Sequence, residues 1–483
     1  MNNDHRTSGE IQKEIDHLLQ QAYSNYQSGM HAQAETLCRE ALAKHPKHPM
    51  ALLMLGMLSI SQNRLAEARI ALADACKAAP EEPGFLRQLA PGLSQVGLHG
   101  DAATCWATLV RMEPANEQLL TNLGAALCMD SKLHEAAKSF EKAIAIKPDC
   151  AEAHLNLGIT YKKLGDAKLA EASFRKLLDL MPRHEMASAQ LGGLLQLEDR
   201  VDEAVDIYNE ALLGTAESAD VLFGLYGATF ESVGADKAVE MLEKAVTNKP
   251  EHFLARSSLG MMLDHIGRRE DAERHFDFVK KHTPQFVFNI DSWYYAREHF
   301  SSSTRLFTLS NSGLAHAVAN VKIEGLFLEF GVWQGRSINF ISSCTDNIVH
   351  GFDSFEGIPE AWEGEPSGSY STFGKLPDVN ANVALHRGWF DDSLPVFLAA
   401  NQAPVAFINI DCDTYNSTRT IFKCLGEHIK VGTVIVFDEY FCFPNWREHE
   451  YKAFQEFLSD SGHQYEYLFF NLYTRQACVL ITA

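Results

Sequence analysis

Up to about residue 284 the apolar positions recur at three- and four-residue spacing, in runs of a dozen or so separated by short polar breaks. That period is the mark of amphipathic helices, as in residues 153–164 and 167–180. After residue 324 the pattern changes to apolar runs of four to six residues alternating with helical segments. Strands are predicted at 326–330, 347–352, 383–386, 405–410 and 433–437, with a closing antiparallel hairpin at 465–470 and 477–481. Helices are predicted at 337–341, 394–400, 417–429 and 448–460. Alternation of this kind predicts an α/β, doubly wound, Rossmann-like sheet. Between the two regimes, 285–303 is rich in aromatic residues and reads as a junction, and 305–319 reads as a helix leading into the sheet. The predicted boundaries are therefore a disordered polar N-terminus at 1–12, a helical array at 13–284, a junction and lead-in at 285–324 and an α/β domain at 325–483.

The array is a repeat. Prolines fall at Pro46, Pro80, Pro114, Pro148, Pro182, Pro250 and Pro284, in steps of 34 residues with one double step in which Ala216 holds the empty place. In the same register lie Ala34, Ala68, Ala102, Ala136, Ala170, Ala204, Ala238 and Ala272. Glycine recurs at Gly56, Gly124, Gly158, Gly192 and Gly260, and an aromatic at Phe140, Phe174, Tyr208 and Phe276. The pattern resembles the tetratricopeptide family, which implies an α-solenoid of about eight helix pairs. Small residues let the helices cross closely, the aromatic fills the remaining gap, and proline ends each pair. One pair cannot bury its own apolar face, so neighbours must stack. Ala90–Pro91 departs from the register and predicts a kink. The resemblance implies a concave face that docks a protein partner, a carrier or an acceptor. The array can alternatively act as a spacer or dimerisation scaffold, giving a homo-oligomer. It also resembles the repeats of the cytosolic sugar transferases that modify serine and threonine, but nothing after residue 290 resembles their catalytic half.

Composition narrows the class. The net charge is −21, which argues against nucleic acid and anionic membrane surfaces. No apolar run is long enough to span a bilayer, and residues 1–14 lack an apolar signal core. Ten scattered cysteines without a Cys-x-x-Cys pair suggest reduced thiols and a cytoplasmic protein.

The chemistry collects at the carboxyl ends of the predicted strands, where open α/β sheets bind ligands. Gly331 and Gly335 bracket the first strand-to-helix turn, the place where a nucleotide-type cofactor meets a sheet. Asp353 follows Gly331 by 22 residues at the tip of the second strand, a position suited to ribose hydroxyls. This pairing suits a dinucleotide or S-adenosylmethionine, and the absence of Gly-x-Gly-x-x-Gly disfavours the dinucleotide. Asp411, Asp413, Asp438 and Glu439 end the two following core strands. Carboxylates gathered so closely need a cation or a proton, and an oxygen-only set favours Mg²⁺.

Five segments occur in order: Glu329-Phe-Gly-Val-Trp-Gln-Gly335, Gly351-Phe-Asp-Ser-Phe-Glu-Gly357, Gly388-Trp-Phe-Asp-Asp-Ser-Leu-Pro395, Ile410-Asp-Cys-Asp-Thr-Tyr415 and Val436-Phe-Asp-Glu-Tyr440. Together they resemble the macrocin O-methyltransferase family, metal-dependent class I enzymes that methylate sugars of macrolides and aminocoumarins. The resemblance implies S-adenosylmethionine and Mg²⁺ as cofactors and a glycan or small-molecule acceptor with adjacent hydroxyls. It implies that Glu329, Gly331 and Gly335 line the methionine end. Asp353 would hold the ribose beside Ser354 and Phe355, and Gly388 and Trp389 would flank the adenine. Asp411, Asp438 and Glu439 would hold the metal, with Asp413 as general base. Members often have aspartate at the last metal position, so the longer Glu439 departs from the pattern. The competing expectation is a repeat scaffold whose methyltransferase domain binds cofactor without turnover. A third is transfer to a catechol-like diol. The loop 354–379 is expected to close over the site, and His386 to pack as a neighbour rather than act as a base.

Overall fold

The computed structural model describes residues 8–213 and 218–483, which form two compact units, 1–182 and 183–483. Ala216 and residues 1–7 lie outside the described residues. The expectation of disorder at 1–12 is corrected from residue 8 onward, where the helix Ser8–Gln27 begins.

The first unit is five helix pairs, from Ser8–Gln27 with His31–Lys44 to Ala151–Lys163 with Ala167–Leu180. The sequence register is explained by contact. A β-carbon on Gly124 would sit 2.6 Å from the Phe140 ring, and one on Gly158 would sit 2.5 Å from Phe174. The recurring alanines are fully buried at the crossings. The kink expected at Pro91 is not found: Pro83–Gln95 is helical throughout.

The second unit opens with three more pairs, Glu185–Leu197 with Val201–Leu212, Ala219–Asn248, and Phe253–His265 with Arg269–His282. Ala219–Asn248 is two helices broken at Gly234, whose φ of 79° and ψ of 175° no helix accommodates. The aromatic segment becomes the helix Val287–His299. Trp293 donates to Asp264 of the last pair at 2.8 Å, while the Tyr295 hydroxyl meets the Tyr467 hydroxyl at 2.6 Å. One helix thus faces the array with one side and the α/β domain with the other.

The eight strands are β1 (Arg305–Phe307), β2 (Leu326–Phe330), β3 (Val349–Asp353), β4 (Val383–Arg387), β5 (Val405–Ile410), β6 (Ile429–Phe437), β7 (Tyr465–Asn471) and β8 (Gln476–Ile481). Their order is β1-β7-β8-β6-β5-β2-β3-β4. Strands β6–β8 and β7–β8 pair antiparallel and the other pairs are parallel. β1 corrects the sequence reading, which ran a helix from residue 305. Arg305–Phe307 pairs with Phe469–Asn471, and the helix starts only at Ser310. Three residues carry no readable period, and pairing with a distant edge determines their state. Alternate residues feed two cores: Phe330, Ile408 and Phe437 on one face, Phe327, Phe407 and Val436 on the other. β2 and β5 run parallel while the order of strands reverses between them, so their carboxyl ends form the crevice of a doubly wound sheet.

Candidate functional site

A cavity of about 1340 Å³ opens at that crevice. Of the residues expected to act, Gly331, Asp353, Ser354, Trp389, Asp411, Asp413, Asp438 and Glu439 line it. Glu329, Gly335, Phe355 and Gly388 do not.

The turn after β2 is tied by Asp353. Its Oδ2 accepts the backbone N–H groups of Val332 and Trp333, each at 2.8 Å, and its Oδ1 accepts that of Phe355 at 2.6 Å. Asp353 is therefore first a clamp on the cradle, with one accepting position left on Oδ1 for a hydroxyl. Trp333 takes a φ of 46°, which few non-glycine residues do, and the clamp holds it there. Gly331 has a φ of 90°, and a β-carbon on it would lie 1.7 Å from the Asp411 carbonyl oxygen. Its close approach is to β5, and glycine is required there before any ligand is considered. Gly335, at φ 80°, caps the helix Arg336–Ser343 and packs on Pro377. Gly388 donates its N–H to the Asp353 carbonyl at 2.9 Å. Phe355 is core beneath the turn, 1 % exposed.

Glu329 lies fully enclosed behind the turn, correcting the expectation that it lines the cavity. Its carboxyl accepts from the Ser337 hydroxyl at 2.9 Å and the Asn409 amide at 3.2 Å. Burial pushes it up to about 8, against the pull of those two donors.

The acids at the ends of β5 and β6 line the cavity beside this turn. Asp411 and Asp413 do not share a side through an extended backbone. β5 ends at Ile410, and the Thr414 N–H bonds to the Cys412 carbonyl at 2.6 Å across Asp413, which has a φ of 62°. That is a strained three-residue turn, a kind rarely kept without a use. Burial first, then Asp438, pushes Asp413 up to about 7, with Arg475 opposing. Burial and the neighbouring carboxylates raise Asp411 well above the ordinary range. Burial also raises Asp438, whose Oδ1 accepts the Gln476 amide at 2.6 Å. Glu439 is pushed up to about 8 by burial, and its Oε2 accepts from Arg475 at 3.1 Å.

Among the described residues no three histidine, cysteine, aspartate or glutamate side chains are arranged to hold a metal ion. The donor chemistry of Asp411 and Asp438 suits a hard cation. Glu439 fits that role poorly, because Arg475 already occupies it. Trp389 and Phe390, the clamped turn and the acids line one cavity, an aromatic, backbone and carboxylate set that suits a nucleoside-type ligand.

Sequence reasoning missed Gln476, Arg475 and Glu450. Glu450 is fully buried, raised well above the carboxylate range by burial and the neighbouring acids, and neither oxygen has a hydrogen-bond partner among the described residues. A signal existed: Glu450 shares the helical face of Ala453, Phe454 and Phe457. It missed the array side as well, where Gly193, Gln196, Leu197, Glu198, Asp199 and Val201 line the cavity and Arg336 pairs with Glu198 at 3.2 Å. The loop 354–379 contributes Trp362 and Tyr370 to the lining, with Tyr370 edge-on to Trp333 at 5.5 Å. His386 stacks on Phe352 at 4.6 Å and is no part of the cavity wall.

Comparisons with known proteins agree with this architecture. A family model described as a methyltransferase domain matches residues 328–440. Tetratricopeptide repeat models match 19–83, 131–165 and 151–184. The chain thus joins tetratricopeptide repeats to a methyltransferase domain. Demethyldecarbamoylnovobiocin O-methyltransferase of Streptomyces niveus is 27% identical over 161 residues, 27% of this chain and 59% of that enzyme. Protein O-mannosyl-transferase TMTC3 of Mus musculus is 30% identical over 124 residues, 23% of this chain and 14% of that protein. The chain therefore covers less than two thirds of either relative. A solved tetratricopeptide repeat protein from Parabacteroides merdae aligns at 19% identity over 52% of this chain and 99% of its own, with a TM-score of 0.40. Among the described residues no helix is long and apolar enough to cross a membrane.

Proposed function

We propose that this protein is an S-adenosylmethionine-dependent O-methyltransferase acting on one hydroxyl of a vicinal diol, most simply on a sugar. The observation that carries the reading is a cavity shared by the clamped turn at Gly331 and the half-buried acids Asp411, Asp413 and Asp438. The turn and these acids lie in the methyltransferase segment, and the relative from Streptomyces niveus is by name an O-methyltransferase.

In this reading Gly331, Val332 and Trp333 bear on the methionine side of the donor, Asp353 Oδ1 accepts from its ribose and Trp389 lies against its adenine. Bound S-adenosylmethionine supplies a methyl group on a sulfonium, and a divalent cation at Asp411 and Asp438 supplies the acidity that makes a hydroxyl a nucleophile near neutral pH. Asp413 takes the hydroxyl proton. Trp362 and Tyr370 narrow the opening and restrict water. The cavity exceeds the ~300–1,000 Å³ of an ordinary small-ligand site, which leaves room for donor and acceptor together. Because residues 193–201 belong to the repeats, the acceptor touches the array itself, which supports a docking role for the repeats toward a glycan, a carrier-bound intermediate or a protein partner.

The test is transfer of labelled methyl groups from S-adenosylmethionine into cell extract, wild type against Asp413→Asn, across pH 5.5 to 8.5. Asp413 works deprotonated, so the wild-type rate should rise with pH as its carboxyl ionises. The variant should lose about 10²- to 10⁴-fold, the usual share of a general base. A product formed equally by both proteins would remove Asp413 as the base.

A further inference from the structure

We infer that the array helix beginning at Ala219 is a working part of the methyltransferase site, with Glu231 as a positioning residue for Asp438. This rests on the functional reading above.

The helix Ser310–Ala319 carries no side-chain cap of its own. Its first N–H groups need an acceptor and favour a negative charge. Glu231 brings a carboxylate to this end from the array: Oε1 accepts the backbone N–H groups of Thr308 at 2.8 Å and Leu309 at 2.9 Å, just ahead of the first turn, and Oε2 accepts from the Ser312 hydroxyl within it at 3.1 Å. The next residue, Ser310, accepts from Gln476 Nε2 at 2.6 Å, and the same nitrogen donates to Asp438 Oδ1 at 2.6 Å. Gln476 is 1 % exposed, so its end of the path is shielded from water. Hydrogen bonds, with the peptide link from Leu309 to Ser310 between them, therefore connect the array to the acid cluster.

A second strut ends at the same place. The turn between β7 and β8, residues 472–475, holds Tyr473, whose ring fills the notch left by Gly227. A β-carbon there would lie 2.5 Å from the ring, and Phe223 packs on it at 5.2 Å. Two residues later Arg475 pairs with Glu439, and Gln476 follows. The turn is fixed to the array at one end and to both acids of β6 at the other. An array that only docked partners would have no need to reach the acids through two routes.

The experiment uses the full chain with Glu231→Leu and Glu231→Gln. Three quantities are read: amide exchange, S-adenosylmethionine affinity by calorimetry, and initial rate of label transfer into cell extract. Glu231 is exposed but accepts two backbone N–H groups and a hydroxyl at once, and hydrogen bonds to a charged group commonly shift an equilibrium by about tenfold. Glu231→Leu should quicken exchange at 308–312 and at 473–478 by about tenfold, leave 328–341 unchanged, and hold donor affinity within about twofold. Its transfer rate should fall about tenfold, and Glu231→Gln, which keeps an accepting oxygen, should recover most of it. Unchanged exchange at 473–478 would overturn the inference, as would a rate loss matched by an equal loss of donor affinity. If wild type transfers no label, the methyl-transfer reading fails, and the exchange data alone still decide whether Glu231 positions the turn.

Discussion

At the scale of single residues, Glu329 has the sharpest consequence. Its carboxyl is enclosed and held near 8, so between pH 4.5 and 8 the folded chain keeps a proton that the unfolded chain releases. The folded pKa is raised, so stability contributed by this group is lost as pH rises through that window, by at most ~1.4 kcal/mol per pH unit. Glu329→Gln should flatten the wild-type decline between pH 5 and 8, as read by denaturant unfolding at several pH values. Parallel curves for the two proteins would show that Glu329 ionises as it does in water. The residue was legible in the sequence as an acid ending a strand. That it faces inward to Ser337 and Asn409 was not, because strand alternation fixes a side of the sheet and not what covers it. The same holds for Asp413. Its place in the cluster was legible, but the turn that aims it comes from a bond between its two neighbours. Gln476 gave no motif and became visible only through what it packs against, while Glu450 left only its place on the apolar face of its helix.

At the scale of elements, adjacent glycines in the helix Glu185–Leu197 separate packing from propensity. A β-carbon on Gly192 would lie 2.3 Å from the Tyr208 ring, whereas one on Gly193 meets nothing within 4 Å. Gly→Ala in a helix gains up to about 1 kcal/mol, and overpacking costs about 1–3 kcal/mol. Gly193→Ala should raise the unfolding midpoint and Gly192→Ala lower it, by urea titration under identical conditions. Matching signs would break the argument that the glycine-to-aromatic register is a steric one. This register was readable because four repeats restate it, at Gly124, Gly158, Gly192 and Gly260. The three-residue strand β1 has no such restatement, and its neighbour β7 lies more than 150 residues away.

For the whole molecule, the second compact unit begins at residue 183, well before the α/β domain. A fragment of 183–483 keeps Tyr473 in its notch, Trp293 on Asp264 and Glu231 on the helix at Ser310. A fragment of 286–483 loses all three. Exposing two large aromatic side chains forfeits ~1.5–3 kcal/mol each, and uncapping the helix adds about 1 kcal/mol. The sum is a large share of the ~5–15 kcal/mol that holds a domain together. The longer fragment should melt cooperatively and bind S-adenosylmethionine within about threefold of the full chain. The shorter should be insoluble or melt at least about 10 °C lower. Equal melting of the two would mean that the repeats after residue 183 are mere neighbours of the methyltransferase domain.

By itself the sequence determined what local periodicity and repetition can carry: the 34-residue register, the alternation of strands and helices, and acids at the strand ends. Each of these is written in the spacing of apolar and polar residues over short stretches. The tertiary structure alone decided which acids face the cavity, which are clamped or paired, and that repeat residues form part of its wall. Those outcomes depend on contacts between residues dozens to hundreds of positions apart, and the spacing along one chain does not record them.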